Sequence, residues 1–172
     1  MEILSFFCIF DTFHSWNNQQ SMIHYRMCHC TVFDETTSEL YSFGGVNELG
    51  QLLNSIESYQ DDKWSLSPFK LKTTRCGASG LISKNYIYIC GGFANDEQTY
   101  NTVERLHLHS NTWENLPAMH GMRGFASSVI LQDRWIIMLG GENRYKTGND
   151  GNRRGEKKQT RLKIYSAFKF EL

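Results

Sequence analysis

The 172-residue sequence predicts an all-β chain assembled from repeated four-stranded antiparallel sheets, and three markers recurring at one spacing carry that prediction. Gly44 and Gly45 recur as Gly91 and Gly92 and again as Gly140 and Gly141, at separations of 47 and 49 residues. Trp16, Trp64 and Trp113 recur at 48 and 49, and Arg26, Arg75 and Arg123 at 49 and 48. A self-similar period of roughly 20 to 50 residues is the mark of a repeat architecture in which each unit is one supersecondary element.

Each element of the unit follows from the residues between the markers. After the arginine comes an apolar run, at 31–33, 78–82 and 125–131, rich in β-branched and aromatic side chains. Such runs of a few residues, bounded by polar turns, read as strands. Polar turns follow at Ser83, Lys84 and Asn85 and at Gln132 and Asp133, and a second apolar run (40–43, 86–90, 135–139) ends abruptly on the double glycine. Glycine there suits a turn that needs positive φ or a close backbone approach. A polar loop leads to a third strand at 56–59 and 103–108, and a tight turn (Asp61 and Asp62; Ser110 and Asn111) returns the chain to the tryptophan strand. Four-stranded sheets of this kind bury their faces by stacking around an axis as the blades of a propeller.

These residues resemble the kelch family, whose unit carries a double glycine after its second strand and spaced aromatic residues later. Tyr41-Ser42-Phe43-Gly44-Gly45 through Ile56-Glu57-Ser58-Tyr59 to Trp64 is one match, and Tyr88-Ile89-Cys90-Gly91-Gly92 through Val103-Glu104-Arg105-Leu106 to Trp113 is another. The resemblance spans about residues 5–141 and extends weakly to the end; Leu106 stands where the family tends to place tyrosine, and the last unit lacks the tryptophan. The fold it implies is a kelch-type β-propeller segment. Residues 1–16 read as the last strand of a truncated blade, 17–64 and 65–113 as full repeats, and 114–172 as a repeat with a polar, basic insertion at about 142–160. Within that last unit, residues 162–165 align with the third strand and Phe170 with the tryptophan position. Three blades and a spare strand fall short of the roughly four to eight blades of a closed ring. The expectation is therefore an incomplete ring: a fragment of a longer polypeptide, an open edge, or self-association of copies to complete it.

Eighteen basic and eighteen acidic residues cancel, which removes the global field that draws a protein to nucleic acid or an anionic membrane. No run approaches the about 18 apolar residues of a membrane span. Five cysteines, an odd number without the dense spacing of a disulfide framework, read as reduced packing residues. Cytoplasmic placement is the expectation. The basic run Arg153, Arg154, Lys157, Lys158, Arg161 and Lys163 reads as a solvated insertion, with nucleic-acid binding or a nuclear signal as its other readings.

Candidate chemistry is sparse. Cys28 and Cys30 share a strand face and could chelate, but no second pair at zinc spacing follows, so packing is the reading and no metal is expected. His24, His29, His107, His109 and His120 with Tyr25 and Tyr100 invite comparison with copper oxidases built on kelch-like propellers, yet they map onto no such ligand set residue by residue. The period-locked Arg26, Arg75 and Arg123 precede the first strand of each blade and are the candidate binding residues. On one rim, with His24, Tyr25 and His120 beside them, they would present a positive arc to carboxylates of an acidic partner peptide. The competing reading has each guanidinium bonding backbone carbonyls of the neighbouring blade. The functional expectation is a non-catalytic protein-interaction module, a scaffold or substrate-recognition surface without cofactor, nucleic acid or membrane. The alternatives are a galactose-oxidase-like or other small-molecule-modifying enzyme, and a fragment without independent function.

Overall fold

A computed structural model describes residues 8–10, 16–95, 98–146, 159–163 and 167–171, and among these it contains strands and turns but no helix. Two complete blades lie side by side. In the first, β3 (Cys30–Asp34), β4 (Glu39–Phe43), β5 (Ser55–Gln60) and β6 (Lys63–Lys70) pair in sequence order. In the second, β7 (Ser79–Ser83), β8 (Tyr86–Cys90), β11 (Val103–His107) and β12 (Thr112–Leu116) do the same. Between β8 and β11 the chain makes a small ribbon of β9 (Phe93–Asn95) and β10 (Gln98–Thr99). The third blade holds β13 (Ser127–Leu131), β14 (Trp135–Leu139) and β17 (Ala167–Glu171).

The hairpins are tight because polar residues accept the left-handed conformation that a right-twisted pair of strands requires. Asp61 and Asp62 turn β5 into β6, Lys84 and Asn85 turn β7 into β8, and Gln132 and Asp133 turn β13 into β14, all with φ between 48° and 65°. Blades then stack face to face. One apolar cluster joins Val32, Tyr41 and Phe43 of the first blade to Ile87, Ile89 and Leu106 of the second. Another joins Tyr88, Cys90 and Val103 of the second, with Met119, to Ile136 and Met138 of the third. Alternate residues of one strand thus serve opposite interfaces, as the two-residue period of a strand dictates. The first strands β3, β7 and β13 run next to one another and line the axis.

Ahead of the first blade, β1 (Cys8–Phe10) pairs with β2 (Trp16–Asn18), Phe10 opposite Trp16; the last unit departs from the sequence expectation. In the last unit, Leu162 lies not in the third strand of the blade but in β16 (Gln159–Lys163), which pairs with β15 (Glu142–Lys146) as a separate ribbon. The third-strand place on β14 is taken by β17, with Phe170 opposite Ile136. The sequence alternation Phe168, Lys169, Phe170, Glu171 has the period of a half-buried strand, whereas the polar β16 matches the equally polar β15. Arg153, Arg154, Lys157 and Lys158 lie outside the described residues.

Around the axis, the residue two places after each arginine adopts positive φ: Cys28 at 54°, Gly77 at 60° and Phe125 at 52°. Backbone bonds link them from blade to blade, the Gly77 N–H donating to the Cys28 carbonyl at 2.7 Å and the Phe125 N–H to the Gly77 carbonyl at 2.7 Å. Only the middle position carries the residue suited to this conformation. Cys28→Gly, at an exposed site, should therefore raise stability by about 0.5–1 kcal/mol, the relief of left-handed strain less the added entropy of the unfolded chain. Urea unfolding of the variant checks this, and a lowered midpoint would refute it.

Candidate functional site

Sequential antiparallel order puts all connections of one kind at one end of the sheets. Turns within the β3–β4 and β5–β6 hairpins, and their equivalents, form a turn face; the loops after the double glycines and the blade-to-blade segments form the opposite, loop face. The arginines sit at the loop face, with their side chains buried rather than open to solvent. Arg26, Arg75 and Arg123 are each at most 4% exposed.

Each arginine staples its own blade. Arg26 Nη1 donates to the Gly44 carbonyl at 2.9 Å and the Ser55 carbonyl at 3.2 Å, while Nη2 donates to Ser55 Oγ at 3.1 Å and Glu57 Oε1 at 2.5 Å. Arg75 repeats the pattern, donating to the Gly91 carbonyl at 2.9 Å, to Thr102 Oγ1 at 3.3 Å and to Glu104 Oε1, with its guanidinium 4.9 Å from the centre of the Tyr100 ring. Arg123 donates to the Gly140 carbonyl at 3.1 Å. The carbonyls bonded are those of the same blade, not the neighbouring one. What reaches the neighbour is the arginine backbone: the Gly45 N–H donates to the Arg75 carbonyl and the Gly92 N–H to the Arg123 carbonyl, both at 2.9 Å.

Electrostatics follow from this geometry. Burial pushes the Glu57 carboxyl up, but hydrogen bonding and charge from Arg26, with bonds from His24 and the Ile23 N–H, outweigh it and hold the group below its usual range. Burial pulls the Arg123 guanidinium down; the register that sets Glu57 against Ser42 and Glu104 against Ile89 sets Phe168 against Met138 in the third repeat. Arg26 and Arg75 thus each face a buried glutamate of their own blade, Glu57 and Glu104.

The remaining sequence candidates stay on the loop face. His24 is half exposed and its Nδ1 lies 2.9 Å from Glu57 Oε1. Tyr25 is half-buried and His120 exposed. Cys28 is exposed, whereas burial pushes the Cys30 and Cys90 thiols up to about 12, so both stay protonated packing groups. Burial, and then the Arg26 charge, lower the His29 pKa. Among the described residues no three His, Cys, Asp or Glu side chains gather closely enough to hold a metal ion.

Sequence reasoning passed over two sets of residues. Glu57 and Glu104 recur at a separation of 47, two positions after Ser55 and Thr102, and that repetition was a readable signal. The other set is apolar: Ile23, Met27, Leu49, Met122 and Phe125 are each 47–75% exposed and all lie in loop-face segments. The Phe125 ring packs tilted against Phe93, with centroids 5.2 Å apart and the ring planes at 54°. Arg144 of β15 covers both rings, its guanidinium 4.2 Å from the Phe93 centroid and 5.6 Å from that of Phe125. Backbone bonds between Arg144 and Thr99 Oγ1 tie the β15–β16 ribbon to the ribbon of the preceding blade.

Comparison with known proteins agrees with this architecture. Residues 74–120 match the Kelch motif family. A kelch repeat-containing protein of Dictyostelium discoideum is 26% identical over 89 residues, covering 49% of this chain and 13% of that protein. The solved structure of YjhT superposes with a TM-score of 0.68 at 16% identity, over 77% of this chain and 48% of that one. The chain thus spans about half the length of the solved relative and a smaller part of the curated one, and its fold is that of kelch-type propeller blades.

Proposed function

We propose that this chain is a non-catalytic protein-interaction module that takes an apolar segment of a protein partner across its loop face. Kelch repeats as a class mediate contacts between proteins, and the observation that carries the reading here is the set of exposed large apolar side chains on that face. Phe125 belongs to the axial ladder, Met27 and Met122 lie in the segments that lead into it, and Ile23 and Leu49 lie in loop-face segments of the first blade. Several exposed large apolar side chains on one face suit an interaction surface. The buried arginine–glutamate pairs beneath hold the loops in one arrangement, which lowers the ordering cost of binding. His24, Tyr25 and His120 supply polar contacts at the edge of the same face, in keeping with the polar rim of protein interfaces. The free thiols of Cys28, Cys30, Cys76 and Cys90 suit a reducing compartment such as the cytoplasm or nucleus.

Panning a displayed peptide library against the purified chain tests the reading. The expected peptides carry aromatic or aliphatic anchors. A Met27→Ser, Met122→Ser double variant should weaken their binding by about tenfold or more, since desolvating each methionine contributes on the order of 1–2 kcal/mol. Both positions are half exposed, so the melting temperature should hold to within a few degrees. Selected peptides that are purely charged, or that bind the double variant unchanged, would refute the loop-face reading.

A further inference from the structure

At the opposite end of the axis, the turns of all three blades surround a cavity of about 530 Å³. Its apolar wall is made of one residue from each first strand or its turn, Phe33, Ile82 and Ile130, with Phe33 51% exposed. The rim is acidic. The exposed Glu35 and Asp133, with Asp34 buried beside them at 8% exposure, line it with Lys84, three negative charges against one positive, a formal balance of −2. Lys84 Nζ reaches the Asp133 backbone carbonyl at 3.4 Å, and Ser83 Oγ donates to Asp133 Oδ1 at 3.3 Å. Asp34 Oδ1 accepts the Thr36 N–H at 2.9 Å.

The negative potential reaches beyond the rim. Burial, then the Glu39 carboxylate that accepts the Tyr41 hydroxyl at 2.6 Å, and then Asp34, hold the Tyr41 pKa well above its usual range. A second hollow of about 320 Å³ shares Asp34 and Thr36 with the first and runs on to Leu108 and His109. The carboxylates are spread along this groove rather than gathered: among the described residues none forms a set able to hold a metal ion. Spaced acids beside an apolar wall complement spaced cations on a chain, and they repel phosphates.

We infer that the turn face is a second docking surface, for a basic peptide segment whose lysines or arginines pair with Glu35 and Asp133 while an aliphatic or aromatic residue packs on Phe33, Ile82 and Ile130. This site is separate from the loop face and does not depend on it. Charge complementarity of this kind sets specificity and the rate of encounter.

A fluorescein-labelled dodecapeptide alternating Lys-Arg pairs with leucine, and its counterpart with glutamate in place of every basic residue, test the assignment by anisotropy with the full chain. The basic peptide should bind saturably, weaken as salt screens the contacts, and lose about fivefold to tenfold in affinity to a Glu35→Gln, Asp133→Asn double variant. Glu35→Lys, at an exposed turn position, gives the same loss without touching the Asp133 turn. The glutamate peptide should not bind, and Met27→Ser, Met122→Ser should leave basic-peptide affinity unchanged. Absence of saturable binding, equal binding of both peptides, indifference to the Glu35 variants, or loss in the methionine variant would each overturn it.

Discussion

Glu57→Ala is expected to lower the unfolding free energy by about 3–5 kcal/mol, the range for stripping one partner from a buried ion pair. The removed carboxylate accepts bonds from Arg26 Nη2, His24 Nδ1 and the Ile23 and His24 N–H groups, and both members of the pair are fully buried. Its loss leaves the Arg26 charge in the protein interior with only carbonyl and hydroxyl acceptors. For a chain of this size the melting temperature should fall by on the order of 10 °C. Arg26→Met combined with Glu57→Leu should cost less than Glu57→Ala alone, because no uncompensated charge remains. A loss below about 1 kcal/mol in the single variant would place the pair among ordinary surface salt bridges.

The same carboxylate predicts an acid limit. Its folded-state pKa lies below the ordinary 4.5, so the native state binds fewer protons than the unfolded chain between the two values. The stabilisation is fully present above about pH 4.5 and disappears as pH falls through the folded-state pKa. Wild-type stability should drop on the acid side more steeply than that of Glu57→Gln. Parallel acid profiles for the two proteins would contradict the assignment.

Gly91→Ala is expected to be about as damaging. Gly91 has φ +64°, and a Cβ there would lie 2.2 Å from the Arg123 backbone carbonyl. That carbonyl already accepts the Gly92 N–H, and the Gly91 carbonyl accepts Arg75 Nη1. Left-handed strain of about 1 kcal/mol is therefore joined by a clash with backbone that cannot move without parting two blades, for a total of about 3 kcal/mol or more. Gly50→Ala is the control, since Gly50 has φ +76° with nothing within 4 Å of the added methyl. It should cost about 1 kcal/mol. Equal losses for the two variants, measured by urea unfolding, would show that conformation alone and not blade contact fixes the double glycine.

Much of this was legible because a repeated backbone geometry demands repeated residues. The double glycines mark where one blade's second strand meets the next blade's arginine carbonyl, and the arginines mark the staple, so both recur at one period. Their meaning was half legible. A periodic positive charge reads equally as a rim or as a buried device until its partners are paired with it, and Glu57 and Glu104 stood at the same period in the third strand. Other features leave no such trace. Phe125 occupies a left-handed position that favours glycine, where its sequence equivalent Cys28 gives no warning and only Gly77 obeys the rule. The late strands of the third repeat were misaligned because a polar segment and an alternating one compete for the same edge of β14, and pairing of β15 with β16 decides between them. The apolar loop-face residues were hidden for another reason: Ile23 and Met27 in one blade-to-blade segment and Met122 in another sit singly among polar residues, and only the fold places both segments on the same face.

The most direct test of the loop-face account is amide hydrogen exchange of the full chain with and without a library-selected peptide. Slower exchange should appear in residues 23–29, 46–52 and 120–126, with the turns at 34–38, 83–86 and 131–135 unchanged. Protection confined to those turns, or spread without regard to face, would contradict the claim that this chain binds its partner through the loop face.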